Sequence, residues 1–320
     1  MARFLLRRLA LLALGLLVAS LAIFVVLRVL PGDVAELIAG TNATPEQVAG
    51  IRAGLGLDRS LPSQYLGWLG GLLHLDFGRS LLTNQSVTAA LAERAGVTVP
   101  LTALSFVIAV TIALTLGVYS GLRHDRPAGI AIGFVAQALA AVPALWLGLL
   151  LVVLFGAGVG LVGVLPSNGF PDDGWHEPGP AVAALVLPAV TIGLIEGVAL
   201  LRFVRSAVLD ALGQDYVRAA AARGLTRTQA LLRHGLPNVG LSLLSVSALQ
   251  IAALVTGAVV IESLFNLPGV GRMLVGDVGS RDLTKVQGEV LFMTGIVLVI
   301  GTLVDIAHRL VDPRQRVEAP

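Results

Sequence analysis

Six apolar runs divide the chain: residues 9–27, 101–122, 130–155, 181–201, 239–261 and 290–310. Each has about the 20 apolar residues that an α-helix needs to cross a bilayer core. The pattern predicts an all-α membrane protein with six transmembrane helices. Residues 31–96 interrupt it with helix-period stretches of mixed polarity. Thr44-Pro45-Glu-Gln47 supplies an N-cap, a first-turn proline and an N3 glutamine. This predicts a helix ending near Leu55, with Gly56 just beyond. A second helix over 62–74 places Tyr65, Leu66, Trp68, Leu69, Leu72 and Leu73 on one broad apolar face. That face suits the membrane interface or neighbouring spans. Asp76-Phe-Gly-Arg-Ser80 predicts a turn, and a short helix follows over 86–94. The segment is too small for an independent core, so a cap packed on the spans is expected.

Between the fourth and fifth runs stands a polar stretch, residues 215–238, that predicts two short helices joined by a tight turn. Asp215 caps the first helix, alanines fill it, and Gly224 takes the left-handed cap. Thr226 and Gln229 form a capping box for the second, and Pro237 stops it. The alanine face is flat and small, open to close approach by another protein. Arg218, Arg223, Arg227 and Arg233 against Asp215 give the segment a charge of +3. A rigid basic hinge on a membrane protein points to a soluble partner or to lipid headgroups. Beyond the fifth run, Phe265-Asn-Leu-Pro268-Gly-Val-Gly271 breaks any helix, and 272–278 starts another. The break reads as a turn or as a piece of a gate. Broken backbone at membrane depth is tolerated only against protein or a water-filled cavity.

Composition and charge add orientation. The 320 residues are 56% hydrophobic and 13% charged, about half the charge of a soluble domain. Fourteen of the 22 Lys and Arg lie in the N-terminal stretch, the second-to-third and fourth-to-fifth connections, and the tail. The third-to-fourth connection has none and carries Asp172, Asp173 and Glu177. The asymmetry predicts cytoplasmic termini, a cytoplasmic 215–238 segment, and outer positions for 31–96 and 262–287. Arg3, Arg7 and Arg8 resemble a secretory leader, but the run behind them is too long and lacks a clean cleavage site. An uncleaved span is expected. The net charge of +2 then reflects topology, not nucleic-acid binding.

Few residues carry chemistry. The single lysine, Lys285, follows Thr284 and closes no glycine-rich phosphate loop, so ATP binding in that manner is excluded. No zinc-protease or nucleophile-elbow motif is present, and no cysteine. Asp172-Asp-Gly-Trp-His-Glu177 holds possible metal ligands but reads better as a solvated acidic loop. No catalytic, cofactor or metal residue is expected. Charges inside spans are costly and therefore informative. Asp305, near the inner end of the sixth span, reads as a snorkelling partner of Arg309. Glu262 ends the fifth span as a gate or capping residue, with helix-end solvation as the alternative. Glu196 has no charged sequence neighbour and is the best candidate to line a path. Pairing with a partner subunit is the alternative. Pro143 and Pro188 read as helix bends.

The order Ala219-Ala220, Gly224, Leu236-Pro237 resembles the ATPase-docking loop of ABC importer permeases. That loop usually has Glu where Arg218 stands and Ile where His234 stands. Both departures resemble the dipeptide/oligopeptide branch, first permease type. The resemblance extends to Leu30-Pro-Gly-Asp33, Leu55-Gly-Leu-Asp58, the Gln64–Gly71 stretch, Glu262 to Arg272, and Asp312-Pro-Arg314. It implies one transmembrane permease domain over 1–320, an ABC importer permease fold with an outer cap, and alternating access in the inner membrane. It implies Asp215, Tyr216, Arg218, Ala219, Ala220, Gly224, Leu236 and Pro237 as the ATPase-coupling set. It also implies Glu262, Phe265, Pro268, Gly269 and Gly271 as the outer gate. The implied partners are a second homologous permease, two cytoplasmic ABC ATPases that use the ATP, an extracytoplasmic solute-binding protein, and the lipid bilayer. Cargo would be dipeptides or oligopeptides, alternatively nickel chelates or other small solutes. Two rivals predict features not found in the sequence. An ion-coupled transporter needs paired buried charges and inverted repeats, and an intramembrane hydrolase needs a nucleophile beside a base.

Overall fold

The structure is a computed structural model, describing residues 2–29, 34–40, 43–54 and 56–311. Leu30-Pro-Gly-Asp33, Leu55 and Asp312-Pro-Arg314 lie outside the described residues. Besides a single 3-10 turn at Gly174–His176, twelve helices order the described chain: α1 Ala2–Val29, α2 Val34–Ala39, α3 Pro45–Gly54, α4 Leu61–Leu72, α5 Val87–Leu122, α6 Pro127–Ala140, α7 Ala144–Phe155, α8 Pro178–Gly213, α9 Asp215–Ala222, α10 Arg227–Leu264, α11 Val270–Ser280 and α12 Leu283–Val311. By length and composition α1, α5, α8, α10 and α12 can each cross a membrane. The pair α6 and α7 makes a sixth crossing only as a broken span, bent by 108°.

One expectation is sharpened and one corrected. The bend expected at Pro143 is a full break: Pro143 stands in extended conformation before α7. Proline lacks an N–H, clashes with the preceding turn, and pushes the residue before it away from helical angles. The short helix expected over 86–94 is not separate but the first turns of α5, continuous through Pro100. At about 1.5 Å per residue, the 36 residues of α5 outrun a bilayer core of roughly 30 Å. The helix therefore projects beyond it. Pro188 stays inside α8 without ending it. The capping box at Thr44 forms as expected, with Thr44 N–H donating to Gln47 Oε1 at 2.9 Å.

The chain forms two compact units. One comprises residues 1–98 and 268–299. In it the aromatic face of α4 packs on α1: Tyr65 lies 5.4 Å from Phe24 by ring centroid, and its hydroxyl is 3.0 Å from Ser20 Oγ. Val87, Leu91 and Val270 are buried with Phe77, Met273 and Phe292 around them. Ser80 donates to Asp282, and Lys285 pairs with Asp277 at 2.6 Å.

The other unit comprises residues 99–267 and the chain from 300 onward. Its core is a row of small and branched side chains, among them Ala109, Ala113, Leu200, Val204, Val208 and Leu243. Close approach of α5 and α8 depends on missing side chains. A Cβ at Gly121 would stand 2.6 Å from Val208, and one at Gly193 would stand 2.7 Å from Ile108. Gly117 and Gly121, like Gly193 and Gly197, repeat every four residues. Helices in lipid use such small-residue spacing to pack closely.

Candidate functional site

The polar stretch at 215–238 builds a compact hinge within the second unit. Gln214, in extended conformation, ends α8. Its carbonyl accepts from the N–H groups of Val217 and Arg218, so α9 starts at once. Asp215 is inside the first turn of α9 rather than at its cap. There its charge still favours the helix N-terminus. Gly224 follows at φ +97°, with no atom within 4 Å of a would-be Cβ. The glycine is thus required by backbone conformation alone. Thr226 and Gln229 then satisfy each other's backbone N–H groups at 3.0 and 3.2 Å.

The expectation that Pro237 stops the second helix is corrected. The helix runs on through a π turn at Leu231–Gly235 into the fifth span, with Pro237 near the start of the α-helical part. The wider turn absorbs proline's missing donor and its clash with the preceding carbonyl. The hinge therefore runs on into the fifth span without a break in the helix. A second correction concerns Ala220. It is fully buried with Val217 and Ala230, beneath Leu212 and Leu225, and forms the hinge core rather than an open face. Asp215, Tyr216, Arg218, Ala219, Gly224 and Pro237 are exposed, and Leu236 is half-buried. Tyr216 accepts a hydrogen bond from Asn238 Nδ2 at 3.2 Å, tying α9 to α10.

Next to this hinge opens a cavity of about 790 Å³. Ser206 and Asp210 of α8, Gln214 just beyond it, and Asn238, Ser242 and Ser245 of α10 line it. His308 of α12 reaches it and meets Ser245 Oγ at 3.0 Å. Sequence reasoning missed this cavity. The signal was present as polar residues at helical spacing in two otherwise apolar helices.

Glu196 lies half-buried on α8 and accepts a hydrogen bond from the buried Gln250 of α10. Its partner is an amide of the same chain, 54 residues away. No neighbour in sequence disclosed it. The residues expected at the outer gate fall in both units. In the second unit, Glu262 and Phe265 are buried, at 0% and 1% exposure. Solvation of Glu262 at a helix end is therefore corrected. Gly148, where a Cβ would meet Leu264 at 2.5 Å, lets α7 approach the end of α10. Gly169 N–H donates to the Phe265 carbonyl. In the first unit, Gly269 is the extended residue that opens α11, Gly271 is buried, and Pro268 is half-buried. Val270 N–H donates to Thr98 Oγ1 at 2.9 Å.

Long apolar helices, a hinge held outside them and a polar cavity at its base define a multi-pass, all-α membrane permease. The chain belongs to the family described as binding-protein-dependent transport system inner membrane component, which residues 113–317 match. Residues 1–102 match the N-terminal part of such components. It is thus a permease subunit of an ABC importer, a class that works with ATPase and substrate-binding partners. A Brucella abortus (strain 2308) protein, provisionally named a peptide transport system permease, is 38% identical over 306 residues, 94% of this chain and 95% of its own length. A Sinorhizobium fredii protein named as a peptide ABC transporter permease is 33% identical over 98% of this chain and 99% of its own length. A glutathione transport system permease of Salmonella choleraesuis is 33% identical over 99% of each chain.

Proposed function

We propose that this chain is one half of the pathway of a peptide importer, and that 215–238 is the surface on which ATPase movement acts. The carrying observation is the hinge itself: exposed, basic, fixed by its own core and capping box, and continuous with α10. A push on a rigid lever of this kind is transmitted to the span rather than absorbed by a loop. In this reading Asp215, Tyr216, Arg218, Ala219, Gly224, Leu236 and Pro237 meet the ATPase, and Ala220 keeps the lever stiff. The names of the relatives support short peptides as cargo.

The rest of the reading follows from charge and family. Both termini and the hinge are cytoplasmic, 31–96 is an outer cap, and the whole chain works as one permease domain. A second, homologous permease completes the pathway, two ATPases use the ATP, and an outer binding protein delivers cargo. The chain itself binds no cofactor and is no enzyme. The polar cavity beside the hinge is the inner mouth of the pathway. Glu196, steadied by Gln250, faces that pathway and favours cationic ends of cargo, while Glu262, Phe265, Pro268, Gly269 and Gly271 shape the outer gate.

Reconstitution tests this. Proteoliposomes holding both permeases, the ATPases and the binding protein should take up a dipeptide only with ATP, and Glu196→Gln should selectively slow positively charged peptides. Uptake without ATP, or cargo preference unmoved by Glu196→Gln, would refute the respective part. Because the chain has no cysteine, topology is testable cleanly. In intact cells an impermeant thiol reagent should label Asp173→Cys and not Thr228→Cys.

A further inference from the structure

A second, smaller cavity of about 290 Å³, partly open and sharing Ser206 with the larger one, lies between α6 and α8. Gly133 and Gln137 of α6 line it, with Arg202, Arg205 and Ser206 of α8. Arg202 reaches only Gln137 Oε1, at a long 3.5 Å. Arg205 lies against the bare backbone of α6, since a Cβ at Gly133 would stand 3.0 Å from its Nη1. Its Nε is buried with no hydrogen-bond partner. Among the described residues no carboxylate pairs with either guanidinium. Arginines three residues apart share one helix face, where like charges repel each other. The cavity thus holds two adjacent positive charges that an anion would offset.

Position and surroundings indicate the anion's source. The two arginines directly follow the apolar run at 181–201, the level at which long basic side chains reach headgroups. Beside Gly133 and Gln137 on α6, Ile130 and Phe134 are 57% and 75% exposed. An occupant therefore meets a forked pair of donors and, next to it, a strongly apolar wall. The cavity has room for roughly ten waters at about 30 Å³ each, enough for a phosphodiester. Guanidinium groups suit phosphate because they donate two parallel hydrogen bonds.

We propose that this cavity is a binding site for an anionic phospholipid, with its phosphate between Arg202 and Arg205 and its acyl chains along α6. The lipid neutralises the arginines and seals α6 to α8, next to the bend before α7. Native mass spectrometry of the complete transporter, released from detergent after incubation with phosphatidylglycerol or phosphatidylcholine, tests it. The wild type should retain phosphatidylglycerol selectively. Arg202→Gln with Arg205→Gln should weaken retention roughly thirty-fold, the factor that two basic residues contribute near an anionic surface. The double lysine variant, which keeps the charge, should retain most of it. Equal retention of the two lipids, or retention unchanged in the glutamine variant, overturns the proposal. Competition by millimolar inorganic phosphate as effective as by the lipid would assign the site to a free anion and overturn the lipid assignment. Loss of the partner permease or ATPases from the glutamine variant, without selective lipid loss, would make the arginines a subunit contact and overturn it too.

Discussion

At its N-terminal end α10 emerges from an exposed basic hinge, whereas at its C-terminal end the chain turns through Phe265 and Leu267, which are almost wholly buried. The hinge is held by local devices: a left-handed glycine, a reciprocal capping box, a three-residue core and one tyrosine–asparagine bond. The far turn is held by packing, with Glu262 and Phe265 enclosed and Gly148 bare beneath Leu264. Local devices keep a segment rigid while leaving its outer face free for another protein. A packed turn gives up that free face for anchorage. The difference teaches where a partner can act on α10 and where the helix is anchored.

Four substitutions test that contrast, the strongest first. Phe265→Ala empties an enclosed site, and losing a buried aromatic costs about 3–5 kcal/mol. Sharply lower thermal stability of the purified protein is expected, measured by loss of the monodisperse peak after heating. Gly224→Val imposes a β-branched residue on φ +97°, a cost of about 1–2 kcal/mol. Membrane insertion should be normal and peptide uptake lost; uptake at the wild-type rate would show that the hinge geometry does not matter. Thr226→Ala removes one half of the capping box, about 1 kcal/mol. It should raise proteolytic nicking near Leu225 while leaving the heating midpoint nearly unchanged. Tyr216→Phe deletes one exposed hydrogen bond to Asn238, about 0.5 kcal/mol. A small drop in uptake with unaltered stability is expected. If Tyr216→Phe destabilised the protein as much as Phe265→Ala, the contrast between the two ends would fail.

Much of the hinge was legible in the sequence because its devices are local. Thr226 with Gln229, and Thr44 with Gln47, find each other three residues apart, and Gly224 needs nothing beyond its own backbone. Pro237 misled for the same reason. Proline signals a helix end locally, but the π turn at Leu231–Gly235 carries the helix through, and no residue type announces that turn. Pro143 shows the reverse, a proline that does break its span. Ala220 read as part of an open face because alanine suits a surface as well as a small core. The Glu196–Gln250 bond joins two helices and so left no trace in spacing along the chain. The polar cavity at Ser206, Asp210, Asn238 and Ser242 was written at helical spacing. Its faces converge only once α8 and α10 are packed.

The central claim is that the hinge is where ATPase movement enters the chain. Arg218 is exposed on α9, and the native chain offers no competing thiol. In the assembled, transport-competent complex, Arg218→Cys carrying a thiol-linked benzophenone should photo-cross-link to an ATPase subunit, with a yield that changes between nucleotide-free and ATP-trapped states. If the probe in that functional complex cross-linked only to lipid or to other permease residues, with no ATPase adduct in either state, the account would be contradicted.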